Sequence, residues 1–165
     1  MNFPPDNRGA SLRSALRAIL AKAAYPVAVQ VASLSPGHPC TVFSQNQDLP
    51  FGAASIIKLP VLICIAHLVE AGELSWDTLV PLTVSAPHGT GLLEYLRLGS
   101  ALTIHDLCVL MMGVSDNMAC NQVLNDIGMK RINEILRYYG YTATVVRRSM
   151  MDRITQARGI DNTVT

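Results

Sequence analysis

The run Ser55–Ala71 (SIIKLPVLICIAHLVEA) is apolar nearly all round a helical wheel. A helix of that kind belongs in the middle of a core, so the remaining chain has to be arranged to cover it. Gly72 ends the helix, and Pro60 lies close enough to its start to be tolerated at the loss of one backbone donor. The most apolar part, Ile56–Val69, has 14 residues and holds Lys58, Pro60 and His67, which is too short and too interrupted to span a bilayer. Half of the 165 residues are apolar and 15% are charged. Such a chain either buries most of its surface or presents apolar faces to material it does not itself supply.

Around this helix the pattern is that of an α+β chain. Ser11–Ala24 has the spacing of an amphipathic helix, stopped by Pro26. Val27–Leu34 and Cys40–Gln47 read as two strands joined by a turn at Ser35-Pro36-Gly37, a hairpin. Leu79–Ser85 and His88–Gly91 read as irregular, and Leu92–Leu98 as a short helix. Thr103 followed by Asp106 marks the start of a helix over 104–112. Further helices are expected over Met118–Ile127 and Lys130–Tyr139, separated by Gly128 and ended by Gly140. From Thr142 onward a loop-like tail is expected. The reading is of one domain over 1–165: helix and hairpin over 11–47, a helical block over 55–141, and a loop region over 142–165.

Several function classes fall away. A formal charge of +1 gives no basic field for nucleic acid, and the pair Arg147-Arg148 is too small to supply one. Met1–Ala10 carries no secretory-signal pattern, and the compartment stays open. The four histidines and Cys40, Cys64, Cys108 and Cys120 show no metal-ligand spacing, so neither a metal nor another cofactor is expected. Cys64, Cys108 and Cys120 read as free buried thiols, with a Cys64–Cys108 bridge as the alternative.

Two short polar elements interrupt the apolar block. Ser55 and Lys58 are three apart at the head of the long helix, which puts them on one face. A serine hydroxyl becomes a nucleophile when a base takes its proton. Burial among Ile56, Ile57, Leu59 and Leu62 would lower the lysine pKa enough for it to serve. Alone, the pair is weak evidence, since about one Ser-x-x-Lys is expected by chance in a chain this long; a solvent-facing lysine beside a serine cap is the plainer reading. Ser115-Asp116-Asn117 stands between two apolar helices, 115 − 55 = 60 residues later. It is either a helix–helix turn with Ser115 or Asp116 as cap, or the wall of a site.

Together with their contexts, FGAASIIKLPVL, GTGLLEYL and LTIHDLCVLMMGVSDNMACNQVLNDIG, these elements resemble the class A β-lactamases and their penicillin-binding relatives. The resemblance runs from about Ala15 to the C-terminus. It implies the serine β-lactamase/DD-peptidase fold and a small β-lactam or acyl substrate. It implies Ser55 as the acylated nucleophile, Lys58 as its proton acceptor, Ser115 as the relay to the leaving nitrogen, and Asn117 as the residue that holds Lys58 and the substrate amide. Asp116 would point inward and pin the loop, and the Ser55 N–H would supply half of an oxyanion hole. All of this requires the hydroxyls of Ser55 and Ser115 and the amine of Lys58 to converge.

The pattern also departs from the family. Of three lysines, at 22, 58 and 130, none precedes Thr-Gly or Ser-Gly, so the family's third element and late strands are expected to be missing and activity to be impaired. The open edge of a two-stranded hairpin would then favour self-association or a complementing segment. In Arg147-Arg148-Ser149-Met150-Met151-Asp152, a methionine stands where the family presents its deacylating glutamate, with Asp152 the nearest acid. Arg148 and Asp161 form either a loop-closing pair or a solvated one. A peptidase or esterase of the same superfamily, and a non-catalytic module that assembles with a partner, are the competing readings.

Overall fold

The computed structural model describes residues 7–34, 40–83 and 91–165. Its chain falls into two compact units, residues 1–49 with Thr165, and Pro50–Val164. In the first, α1 (Asn7–Leu20) precedes strands β1 (Val29–Ser33) and β2 (Cys40–Gln45). The helix ends at Leu20 rather than Ala24, because the chain tightens into a turn in which Lys22 N–H donates to Ile19 O. The two strands form the expected antiparallel hairpin, from Val29 opposite Gln45 to Ser33 opposite Cys40, with a register shift between Val31 and Ala32. Its expected turn, 35–37, lies outside the described residues. Asn46, at φ 53°, closes the far end by donating from Nδ2 to Val27 O at 2.9 Å.

The second unit is built on helices. A 3₁₀ turn, Ala54–Ile57, leads into α2 (Lys58–Glu70), followed by α3 (Ile104–Gly113), α4 (Asn117–Ile127), α5 (Met129–Tyr138) and the short α6 (Arg153–Ala157). The start of α3 is fixed by a capping box: Asp106 N–H donates to the Thr103 hydroxyl, and the Asp106 carboxylate accepts from Thr103 N–H. Between α4 and α5, Gly128 has φ 86°, a conformation that costs a residue with a Cβ strain and costs glycine none.

Val61, Cys64, Ile65 and Leu68 of α2 are buried with Leu107 and Met111 of α3, Val123 of α4, and Ile132 and Leu136 of α5. Each of the large apolar side chains among them contributes about 1.5–3 kcal/mol by leaving water. The expectation that the run Ser55–Ala71 lies wholly inside the core needs correction, because Ile56 of the 3₁₀ turn and Leu59 and Ile63 of α2 are 64%, 50% and 37% exposed. The helix packs on α3 and α5, while Leu59 and Ile63 reach solvent.

Four short strands were not expected from the sequence. β3 (Phe51–Gly52) pairs antiparallel with β6 (Thr163–Val164), and β4 (Leu79–Pro81) with β5 (Ala101–Thr103). Pieces of two or three residues carry no readable alternation, so the first part of Leu79–Ser85 is strand where irregular chain was expected. The region after Thr142 likewise holds α6 and β6 rather than a plain loop. Leu92–Leu98 contains only a 3₁₀ turn, Leu93–Tyr95. Among the described residues no helix is long and apolar enough to cross a membrane.

All four cysteines are free, so no Cys64–Cys108 bridge forms; the Cys64 thiol instead donates to Ile132 O. Burial pushes the pKa of Cys64 and of Cys108 up to about 11 and that of Cys120 to about 12. Since the thiolate is the reactive form, iodoacetamide at neutral pH should modify Cys40 alone in the folded protein and all four cysteines in denaturant. Peptide mass spectrometry reads the result, and rapid native modification of Cys120 would contradict this packing.

Candidate active site

The segment entering the site is clamped before it turns. β3 pairs with β6, and Ala53 N–H donates to Asn162 O at 2.8 Å. Ala54 then adopts φ 43°, and the 3₁₀ turn presents Ser55 on the surface while Ile57 goes fully inside. In a 3₁₀ turn residues i and i+3 eclipse. Ser55 and Lys58 therefore align by a tighter geometry than the α-helix the sequence predicts.

Lys58 is 2% exposed. Its Nζ lies 2.6 Å from Ser115 O, 2.8 Å from Ser115 Oγ, 2.8 Å from Asn117 Oδ1 and 3.3 Å from Ser55 Oγ. Ser115 Oγ in turn is 3.1 Å from Ser55 Oγ. The structure thus brings together all four of the residues singled out from sequence. Burial lowers the Lys58 pKa from the ordinary 10.5, against the opposing influence of Cys120 and Asp116. The lining differs in part from the expected one, since Ile56 and Leu59 are exposed while Ile57 is buried and Leu62 half-buried.

The two carbonyl oxygens around Nζ can only accept, and they occupy two amine hydrogens whatever the charge state. A neutral Lys58 keeps its lone pair for the hydroxyls of Ser55 and Ser115. The arrangement can therefore pass a proton from one hydroxyl to the other through the amine or directly.

Asp116 holds this geometry from behind. It is fully buried and caps α4, with its carboxylate accepting from Ala119 N–H and from Leu93 N–H, each at 3.0 Å. Both sequence readings of the tripeptide hold at once, as a helix cap and as a wall of the cleft. Ser115 sits at φ 57°, which turns its carbonyl and hydroxyl toward the amine.

A cleft of about 410 Å³ opens at Ser55, lined in part by Ala54, Asn117, Arg148, Met150 and Met151. Its loop wall is held by asparagines that sequence reading did not single out. Asn121 of α4 donates to Met150 O at 3.1 Å and accepts from Met150 N–H at 2.6 Å. Asn133 of α5 does the same for Val146, at 2.7 and 2.8 Å, and Asn162 accepts from the N–H groups of Arg147 and Arg148. For Asn121 the available signal was an amide within a largely apolar stretch of α4.

Arg148 is 8% exposed and grips Asp161 through Nε at 2.9 Å and Nη2 at 2.7 Å, so the pair is loop-closing rather than solvated. Burial pushes the Asp161 pKa up, but bonds from Arg148, Gln156 and Asn162 outweigh it and hold the carboxyl below its usual range. Asp152 caps α6 by accepting from Thr155 N–H at 3.0 Å, and those Thr155 bonds lower its pKa.

A model of the beta-lactamase enzyme family matches residues 11–165. The chain belongs to that family. A β-lactamase from Sphaerobacter thermophilus superposes with a TM-score of 0.73 at 28% identity, over 98% of this chain and 59% of its own. PBP-A, in a form solved as an acyl-enzyme complex with penicillin G, gives 0.78 at 22% identity, over 94% and 57%. An ancestral class A β-lactamase gives 0.76 at 20% identity, over 93% and 59%. The chain spans under three fifths of the length of these structures, and the likeness to the two below 25% identity speaks to fold alone. No curated protein matches it.

Gly91 reports on how tightly the frame closes. A Cβ there would lie 2.5 Å from Asp116 Cγ and Oδ1, closer than any real contact. Gly91→Ala should lower stability by about 1–3 kcal/mol, read as a lower urea midpoint. An unchanged midpoint would mean that the 91–93 segment moves aside without cost.

Proposed function

We propose that the protein is a β-lactamase-like serine hydrolase that opens β-lactam amides through an acyl-enzyme on Ser55. The observation that carries this reading is the buried Lys58 amine, set between the exposed hydroxyls of Ser55 and Ser115. In the neutral form Lys58 takes the Ser55 proton as Oγ attacks the lactam carbonyl. Ser115 then delivers a proton to the nitrogen as the C–N bond breaks, which balances the step. Asn117 keeps Lys58 aimed by accepting one of its hydrogens. PBP-A, a structural relative solved as a penicillin G acyl-enzyme, supports the choice of substrate class.

Release of the acyl group is expected to be slow. Met150, buried against Asn121, offers no proton acceptor where a water would have to be activated, and no carboxylate lines the cleft among the described residues. Asp152 is a weak candidate for that base, because its carboxylate is committed to capping α6 and its pKa is lowered. Slow release also favours a second reading, transfer or hydrolysis of esters or peptides. Turnover of a small ester compared with a chromogenic cephalosporin separates the two.

A fluorescent penicillin should form a persistent one-to-one adduct on Ser55 by mass spectrometry, absent in Ser55→Ala. Ser115→Ala should slow its formation by about a hundredfold or more. Because only the neutral amine accepts a proton, the labelling rate should climb with pH through the lowered Lys58 pKa and level off below 10.5. An adduct that survives Ser55→Ala would overturn the reading.

A further inference from the structure

Arg153 opens α6 and forms part of the wall of the Ser55 cleft, beside Met150 and Met151. Among the described charged groups of this loop, Arg147, Arg148, Asp152 and Asp161 have hydrogen-bond partners, and Arg158 does not line the cleft. Arg148 is bound to Asp161, and Arg147 donates to Asp161 O and the Thr163 hydroxyl. The Asp161 carboxylate also takes bonds from Gln156 and from Asn162 N–H. Asp152, the acid next in sequence to Arg153, accepts from Thr155. The Arg153 guanidinium has neither an ion-pair partner nor a side-chain hydrogen bond among the described residues, although it borders the cleft. Arg148 being paired, Arg153 is the cation lining that wall that has no ion-pair partner among the described residues.

Met151, with the largely buried Met150 behind it, gives this wall an apolar stretch beside a guanidinium without an ion pair, which fits one kind of ligand group: an apolar body bearing a carboxylate. Guanidinium matches carboxylate with two parallel N–H donors, and methionine adapts to irregular apolar shapes. We infer that Arg153 makes the cleft selective for acyl groups that carry a carboxylate beside an apolar body. The inference rests on the reading of Ser55 as the acylated residue, and it assigns the substrate class within that reading.

Carbenicillin and benzylpenicillin differ by one side-chain carboxylate, so the ratio of their Ser55 acylation rates isolates the interaction. In Arg153→Gln that ratio should fall about fivefold, the size of an exposed ion pair. Arg153→Lys should recover part of it, and raising salt should shrink the wild-type ratio. An identical ratio in the wild type and Arg153→Gln would overturn the inference. A non-covalent arm separates this from failure of the hydrolase reading: phenylmalonate should shift the Met150 and Met151 methyl resonances at lower concentration than phenylacetate, and Arg153→Gln should remove the difference. If neither penicillin acylates Ser55 while this difference is found, the hydrolase reading falls and the carboxylate subsite stands. If phenylmalonate shows no Arg153-dependent advantage, the subsite falls.

Discussion

One buried amine organises this protein. Lys58 is almost wholly removed from water, and an amine there is tolerable only if its hydrogens are matched. Each acceptor makes its own demand on the chain. Ser115 can turn its carbonyl inward only at a positive φ, Asn117 can reach Nζ only if α4 starts at that residue, and α4 starts there because Asp116 caps it. Asp116 in turn points inward because Leu93 N–H meets it and Gly91 leaves it room. Among the described residues, three of the four non-glycine residues with positive φ, Ala54, Ser115 and Met151, lie at this cleft. Each costs of order 1 kcal/mol, and such strain persists where surrounding contacts fix the conformation.

The helix ends that were legible in the sequence share a physical cause. Helix ends were readable where a side chain meets a backbone group nearby, as Thr103 and Asp106 do, or where glycine takes a positive φ, as at Gly128 and Gly140. The convergence of Ser55, Lys58, Ser115 and Asn117 was read from the family resemblance of the two elements and their contexts, since Ser55 and Lys58 alone favoured a surface lysine beside a helix cap. The helix-end signals are local, whereas the resemblance is carried by motifs 60 residues apart together with their contexts.

What escaped the sequence depends on partners far along the chain. Strands β3 and β6 owe their pairing to 163 being brought beside 52, which no periodicity records. The 3₁₀ form of the Ser55 turn follows from the clamp at Ala53 and Asn162, again a distant contact. The exposed face of α2 was missed for a different reason: apolar character around the whole helix states that burial is favourable and does not state which neighbours provide it.

The three asparagines that hold the loop have a consequence of their own. Asn121, Asn133 and Asn162 bind main-chain atoms of Met150, Val146, Arg147 and Arg148, so much of the loop's course is set by groups that every residue type carries. Val146 and Arg148 are held by their side chains as well, one in the core and the other on Asp161. The exposed side chains along that rail can be exchanged while its course stays fixed, so a lineage can try new chemistries opposite one unchanging hydroxyl without first having to reinvent the path that carries them.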